Sequence, residues 1–224
     1  MKTIKVISFS AYIEQVCSEE FNGFLFRGVS NADEHELLPT IGRISSLREA
    51  SPGRIASVEK HWLKRFRLEG AALKPENPNL WDWMVLARHH GLPVRILDWT
   101  RNPLIALFFS LQENSHTKAA VYAERFKKHI DIESENNPFD IKKTGKFQPA
   151  NLSPRIASQA SMFSIHPDPR KPHDSDTLLR FEISPNLVPS FRAQLRRCGI
   201  HYATVFPDLD GLAKSIILDG QASS

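Results

Sequence analysis

The sequence has little cysteine and no long apolar run. Its two cysteines, Cys17 and Cys198, are too few and too far apart in 224 residues for a disulfide framework or a thiolate metal site. A reducing, cytoplasmic setting is therefore the expectation. The opening Met1-Lys2-Thr3-Ile4-Lys5-Val6 lacks the apolar core of a signal peptide, and no stretch reaches membrane-spanning length. A glycine-rich phosphate loop, a strand-turn-helix serine nucleophile, a spaced set of metal ligands and an internal repeat are all missing. The familiar enzyme signatures are thus absent, and no metal is expected.

What is present is ordinary in bulk. With 41% apolar and 24% charged residues, the chain has enough core-forming material for one large domain, or one domain with an insertion. A formal charge of +4 permits a phosphate-bearing ligand or a nucleic acid without demanding either.

Polar chemistry is concentrated in one stretch, His89-His90-Gly91-Leu92-Pro93-Val94-Arg95-Ile96-Leu97-Asp98-Trp99-Thr100-Arg101-Asn102-Pro103. So many groups that are costly to bury unpaired imply more than packing. Leu80 to Arg88 reads as a helix stopped by Gly91, with Trp81, Met84, Val85 and Arg88 on related faces. Adjacent His89 and His90 cannot point the same way, so either they cap that helix end or one of them edges a site. Val94 to Trp99 reads as a strand with Asp98 at its exit. Asn102 then suits the N-cap and Pro103 the first turn of an apolar helix, whose free amides offer an anion site beside Thr100 and Arg101.

Residues 2–7 read as a strand and Ser10 to about Cys17 as a helix. Phe24 to Gly28 reads as a buried strand, in which Arg27 shares a face with Leu25. That arginine needs an anion, either a protein carboxylate such as Asp98 or a ligand phosphate. Ile55 to Glu69 forms an amphipathic helix whose Lys64, Arg65 and Arg67 read as a solvated outer face rather than a nucleic-acid patch. Ala119 to Ala123 is a strand. Residues 124–153 are charged and thin in apolar content, so a surface insertion or lid is expected. Gln159, among small residues on a turn into the next strand, serves either a ligand or a loop-closing hydrogen bond. Leu179, Phe181 and Ile183 alternate as a strand, Ser184 is placed as a helix cap, and Phe206 to Ile217 opens a last helix behind an acidic cap.

Phe26-Arg27-Gly28, Leu38-Pro39 with Arg43, the His89-to-Thr100 core, Gln159 to Phe163, and Phe206-Pro207-Asp208-Leu209-Asp210-Gly211 together resemble the FRG domain family over nearly the whole chain. Val94 stands where the family more usually has Thr. The resemblance implies a compact α+β domain of 1–224, of bacterial or phage type, with a central mixed sheet flanked by helices. In order and spacing, Arg27, the Thr100 strand-to-helix segment and Gln159 also resemble the three-part site of ADP-ribosyltransferases. That likeness implies an NAD-consuming transferase or glycohydrolase, in the role of a toxin or defence effector. It places NAD on Arg27, Gly28, Thr100, Arg95 and His89, and sets Arg27, Gln159, His90 and Asp98 at the reacting end. The acceptor would be a nucleotide, a nucleic acid or a protein. Gln159 departs from the acidic residue of that family, since an amide brings no negative charge to an oxocarbenium-like transition state. A binding module for a phosphate ligand or nucleic acid is the alternative.

Overall fold

The alternating apolar segments assemble into one seven-stranded sheet. The computed structural model describes residues 1–73, 78–112, 116–150 and 152–222. In chain order it has β1 (Lys2–Val6), α1 (Phe9–Val16), β2 (Leu25–Val29), α2 (Ser45–Arg48), α3 (Pro52–Glu69), α4 (Leu80–His89), β3 (Ile96–Thr100), α5 (Pro103–Ser110), β4 (Ala119–Glu124), β5 (Gly145–Phe147), α6 (Pro154–Ser158), β6 (Ser161–Ile165), β7 (Leu179–Ile183), α7 (Val188–Arg197), α8 (Tyr202–Val205) and α9 (Leu209–Ala222). The strand order is β1-β7-β4-β2-β3-β6-β5. Only β1 and β7 run parallel, so the sheet is mixed and the class is α+β. Among the described residues no helix is long and apolar enough to cross a membrane.

Local chemistry sets the helix ends. Asn79 and Asp82 form a reciprocal capping box at the start of α4, each accepting the other's backbone N–H at 2.9 Å. Gly91, at φ +85°, turns the chain out of α4. Asn102 Oδ1 accepts the Leu104 N–H at 2.9 Å, and Pro103 fills the first position of α5. Asp208 caps α9 by accepting the Gly211 N–H at 2.9 Å. Ser184 makes no such bond; a 3-10 turn over Pro185–Leu187 intervenes before α7.

Helices bury their apolar faces on the sheet in two separate clusters. One joins Tyr12, Leu107, Phe108, Phe191 and Leu195 to Phe26, Val121 and Phe181 over β1, β7, β4 and β2. The other joins Leu63, Trp81, Met84 and Ile156 to Ile96, Phe147 and Phe163 over β3, β6 and β5. Between them β2 and β3 meet at a single registered pair, Phe26 with Thr100, whereas β2 and β4 share five. The sheet is therefore open along the β2–β3 boundary.

The charged stretch 124–153 is more than the expected surface insertion. Its Ile130, Ile141 and Phe147 are buried in the second cluster, with Ile132, Phe139 and Leu152 packed against it, and β5 pairs with β6 as an edge strand. The Trp81 Nε1–H donates to the Glu135 carbonyl at 2.6 Å, tying the stretch to α4. The strand expected at Val94 to Trp99 is shifted to Ile96–Thr100, which puts Asp98 at mid-strand rather than at its exit.

α5 lies so close to β2 that Gly28 has no room for a side chain. A Cβ there would stand 2.0 Å from the Ala106 carbonyl oxygen and 2.5 Å from the Ser110 nitrogen, both backbone atoms that cannot rotate away. Gly28→Ala is expected to cost about 3 kcal/mol in urea denaturation, because helix and strand must separate. Gly53→Ala, in the first turn of α3 with nothing within 4 Å, should gain about 0.5–1 kcal/mol instead. Equal effects at the two positions would refute the close-approach argument.

Candidate functional site

Where β2 and β3 diverge, a cleft of about 410 Å³ opens, within the range of roughly 300–1,000 Å³ usual for small-molecule sites. The sheet supplies Arg27 and Gly28 from β2 and Asp98 and Thr100 from β3. α4 contributes Arg88 and His89, and the turn after α6 contributes Gln159. Among the described residues four arginines line the cleft (Arg27, Arg43, Arg88 and Arg155) against one carboxylate, Asp98.

Asp98 Oδ2 is the hub. It accepts from Arg88 Nη2 at 2.6 Å and Nε at 3.0 Å, and from Arg27 Nη1 at 3.2 Å. Arg27 Nη1 also donates to the Asp98 backbone carbonyl at 2.6 Å, so the guanidinium satisfies a strand oxygen that the diverging β2 backbone leaves unpaired. Burial alone pushes the Asp98 carboxyl up, but Arg88 and Arg27 outweigh it and hold the group down to about 2. Burial pulls Arg27 below the usual arginine range; Asp98 opposes this, while Arg88 and Arg43 repel it. The Arg27 Nε–H is buried with no hydrogen-bond partner among the described residues. The cleft thus holds more cationic donors than its one carboxylate can satisfy.

Other groups are partly committed. Thr100 Oγ1 donates to the Gln159 carbonyl at 2.7 Å and accepts the Asn102 N–H at 2.9 Å. Its one proton is therefore spent, leaving it an acceptor only. Gln159 Nε2 donates to the Val205 carbonyl at 3.2 Å while the residue still lines the cleft, so it closes a loop and borders the site at once. The next residue, Ala160, holds φ at 46°, a left-handed conformation rare without glycine. Arg155 is fastened to Asp208 at 2.6 Å and sits over the Phe206 ring at 5.3 Å, forming one wall.

Two expected residues lie elsewhere. Arg95, expected on the cofactor, is 3% exposed, and its Nε donates at 2.8 Å to Glu59, a fully buried residue on the inner face of α3. It locks α3 to the entrance of β3 and does not line the cleft. His90, expected at the reacting end, is exposed at the C-cap of α4 and also lies outside the cleft. His89 is the histidine turned inward, and burial lowers its pKa from the usual histidine value while Asp98 opposes that shift. Gly28 borders the cleft, but its missing side chain serves α5. Sequence reasoning missed Arg43 and Arg88 as site residues. The signal for Arg88 was its place on the apolar stripe of α4, where a charge must find a partner. Among the described residues no group of three His, Cys, Asp or Glu side chains could hold a metal.

Asp98→Asn leaves two guanidiniums facing each other without their counter-charge and should cost on the order of 2 kcal/mol at neutral pH. Since the folded-state pKa is depressed from 3.8 to about 2, the ionic contribution is complete above about pH 4 and is lost as pH falls toward 2. Urea denaturation of both proteins should show the gap between them narrowing over that window. A gap that stays constant would mean that Asp98 acts through shape and not charge.

Most of these site residues, including Arg27, Arg43, Arg88, His89, Asp98 and Thr100, lie between positions 22 and 119; Arg155, Gln159 and Phe206 lie beyond. No curated protein and no solved structure matches the chain. The family model of the FRG domain matches residues 22–119, less than half of the chain and the segment that builds the arginine-lined side of the cleft.

Proposed function

We propose that the cleft binds NAD through its arginines and releases nicotinamide, as an ADP-ribosyltransferase-like enzyme would. The observation that carries this reading is the surplus of guanidiniums around one carboxylate, with the buried Arg27 Nε–H lacking a protein acceptor. A pyrophosphate offers the oxygens those donors need, and Arg27 with the exposed Arg43 forms the fork that would hold it. The ribose end would then lie toward Thr100, as an acceptor for a ribose hydroxyl, and toward Gln159. Cleavage breaks the bond between ribose C1′ and the nicotinamide nitrogen. The electron pair stays on nitrogen, and neutral nicotinamide departs. Water adds at C1′ and gives up its proton, for which His89 is a neutral acceptor.

One observation favours a second reading. Asp98, the single carboxylate lining the cleft among the described residues, already balances two guanidiniums, and Gln159 is uncharged. Neither supplies free negative charge to a developing oxocarbenium ion. On that reading the protein holds the dinucleotide without cleaving it.

NAD titrated into the purified protein should raise its melting temperature, and chromatography should show nicotinamide accumulating. Arg43→Ala removes a surface-exposed charge-assisted contact and should weaken NAD binding roughly tenfold or more with little change in stability. Arg27→Ala should abolish binding, and its fold is checked by the same melting curve. A thermal shift without nicotinamide selects the binding-only reading. Neither a shift nor nicotinamide would overturn both.

A further inference from the structure

A second concave surface lies away from the cleft, on the outer side of α3. It is a groove of about 840 Å³ between α3, the start of α4 and the segment around Phe139. Lys60, Lys64 and Arg67 line it, all three exposed, at spacings of four and three residues that put them in one row along the helix. At about 1.5 Å per residue the row is about 10 Å long. Among the described residues none of the three has a carboxylate within ion-pairing distance, and no Asp or Glu lines the groove. Arg65, on the neighbouring row, is instead paired with Glu69 at 2.7 Å. Beside the cations the groove is apolar: Leu63 and Trp83 are buried beneath it, and Leu68 stands 68% exposed at its edge.

A row of cations without a carboxylate partner among the described residues, over an apolar floor, suits a partner that brings carboxylates and an apolar side chain together. We infer that this groove docks an acidic peptide segment of a partner protein, whose carboxylates meet Lys60, Lys64 and Arg67 while an apolar residue packs against Leu68. Charge complementarity carries the assignment, and the aromatic rings bear on the choice of class. Phe139 is already stacked by Lys60, 4.9 Å from the ring centre, and by Arg95 at 4.5 Å. Trp83 is 5% exposed. A nucleobase therefore finds no open ring on which to stack, which is the usual anchor for a single strand. A membrane surface fits no better, because the apolar floor is recessed rather than projecting. Acidic amphipathic segments suit such grooves, with affinity from the apolar anchor and on-rate and specificity from the charges.

The test is a selection of short random peptides displayed on phage against the purified protein, run in parallel on a Lys60→Glu/Lys64→Glu/Arg67→Glu variant. These positions are solvent-exposed, and a melting curve checks that the variant folds. The protein should enrich sequences combining Asp or Glu with Leu or Phe. A fluorescein-labelled synthetic copy of the enriched sequence should bind saturably, weaken as salt is raised, and bind the charge-reversed variant at least about tenfold less tightly. Leu68→Ser should weaken the same peptide without changing its salt dependence. Three results would overturn the inference: no enrichment of acidic residues, equal binding to the charge-reversed variant, or charge-dependent binding of labelled oligouridine or phosphatidylserine vesicles in place of the peptide.

Discussion

The structure depends on how one carboxylate closes a sheet that is open in its middle. β2 and β3 carry the two helical clusters apart, and backbone pairing alone joins them at a single position. Asp98 and Arg27 span the rest, beside an apolar cluster that joins Leu25 and Val29 of β2 to Leu97 and Trp99 of β3: the guanidinium takes both the strand carbonyl and the carboxylate, and Arg88 reaches the same oxygen from α4. Two charges that would be costly to bury alone are thereby offset by one group of opposite sign. The same arrangement leaves cationic donors facing the gap, so the element that holds the sheet together also gives the cleft its electrostatic character.

Much of the fold was legible in residue patterns. The Asn102-Pro103 helix start, the Gly91 stop and the alternation of Leu179, Phe181 and Ile183 each state a local rule that tertiary packing did not override. The Arg27–Asp98 pair was visible as one of two alternatives, because an arginine on an apolar strand needs an anion. What could not be read was which charges meet which. Arg95 and Arg88 look equally available in sequence, yet one is matched to Glu59 and the other to Asp98. The clue was present: Ile55, Glu59 and Leu63 recur every fourth residue, which sets a glutamate on the buried stripe of α3. Its partner depends on where β3 passes, and that is a tertiary fact. His89 and His90 differ by one helical step, which turns one ring toward the cleft and the other into solvent. The charged stretch 124–153 looked peripheral because its buried residues are few and widely spaced.

α3 has opposite uses on its two sides. Its inner stripe buries Glu59 and so fixes the entrance of β3, while its outer row of cations faces the groove. Arg95 connects the two, paired with Glu59 through its guanidinium and stacked on the Phe139 ring that borders the groove. Cleft and groove are therefore built on neighbouring parts of one framework, although they differ in kind: one is rich in arginine, the other larger and floored with hydrocarbon.

The parallel pairing of β1 with β7 bears on how the chain reaches this state. It joins the first strand of the sequence to the last, Lys2 opposite Leu179 and Val6 opposite Ile183. In a chain synthesised from its N-terminus, β1 has no sheet neighbour until β7 has emerged, and β4 shows a bare edge until then. Closing a loop of that length comes late and makes folding slow. In the finished sheet β1 is an edge strand, and its Lys2 and Lys5 put charge along that edge, which discourages pairing with a strand of another chain.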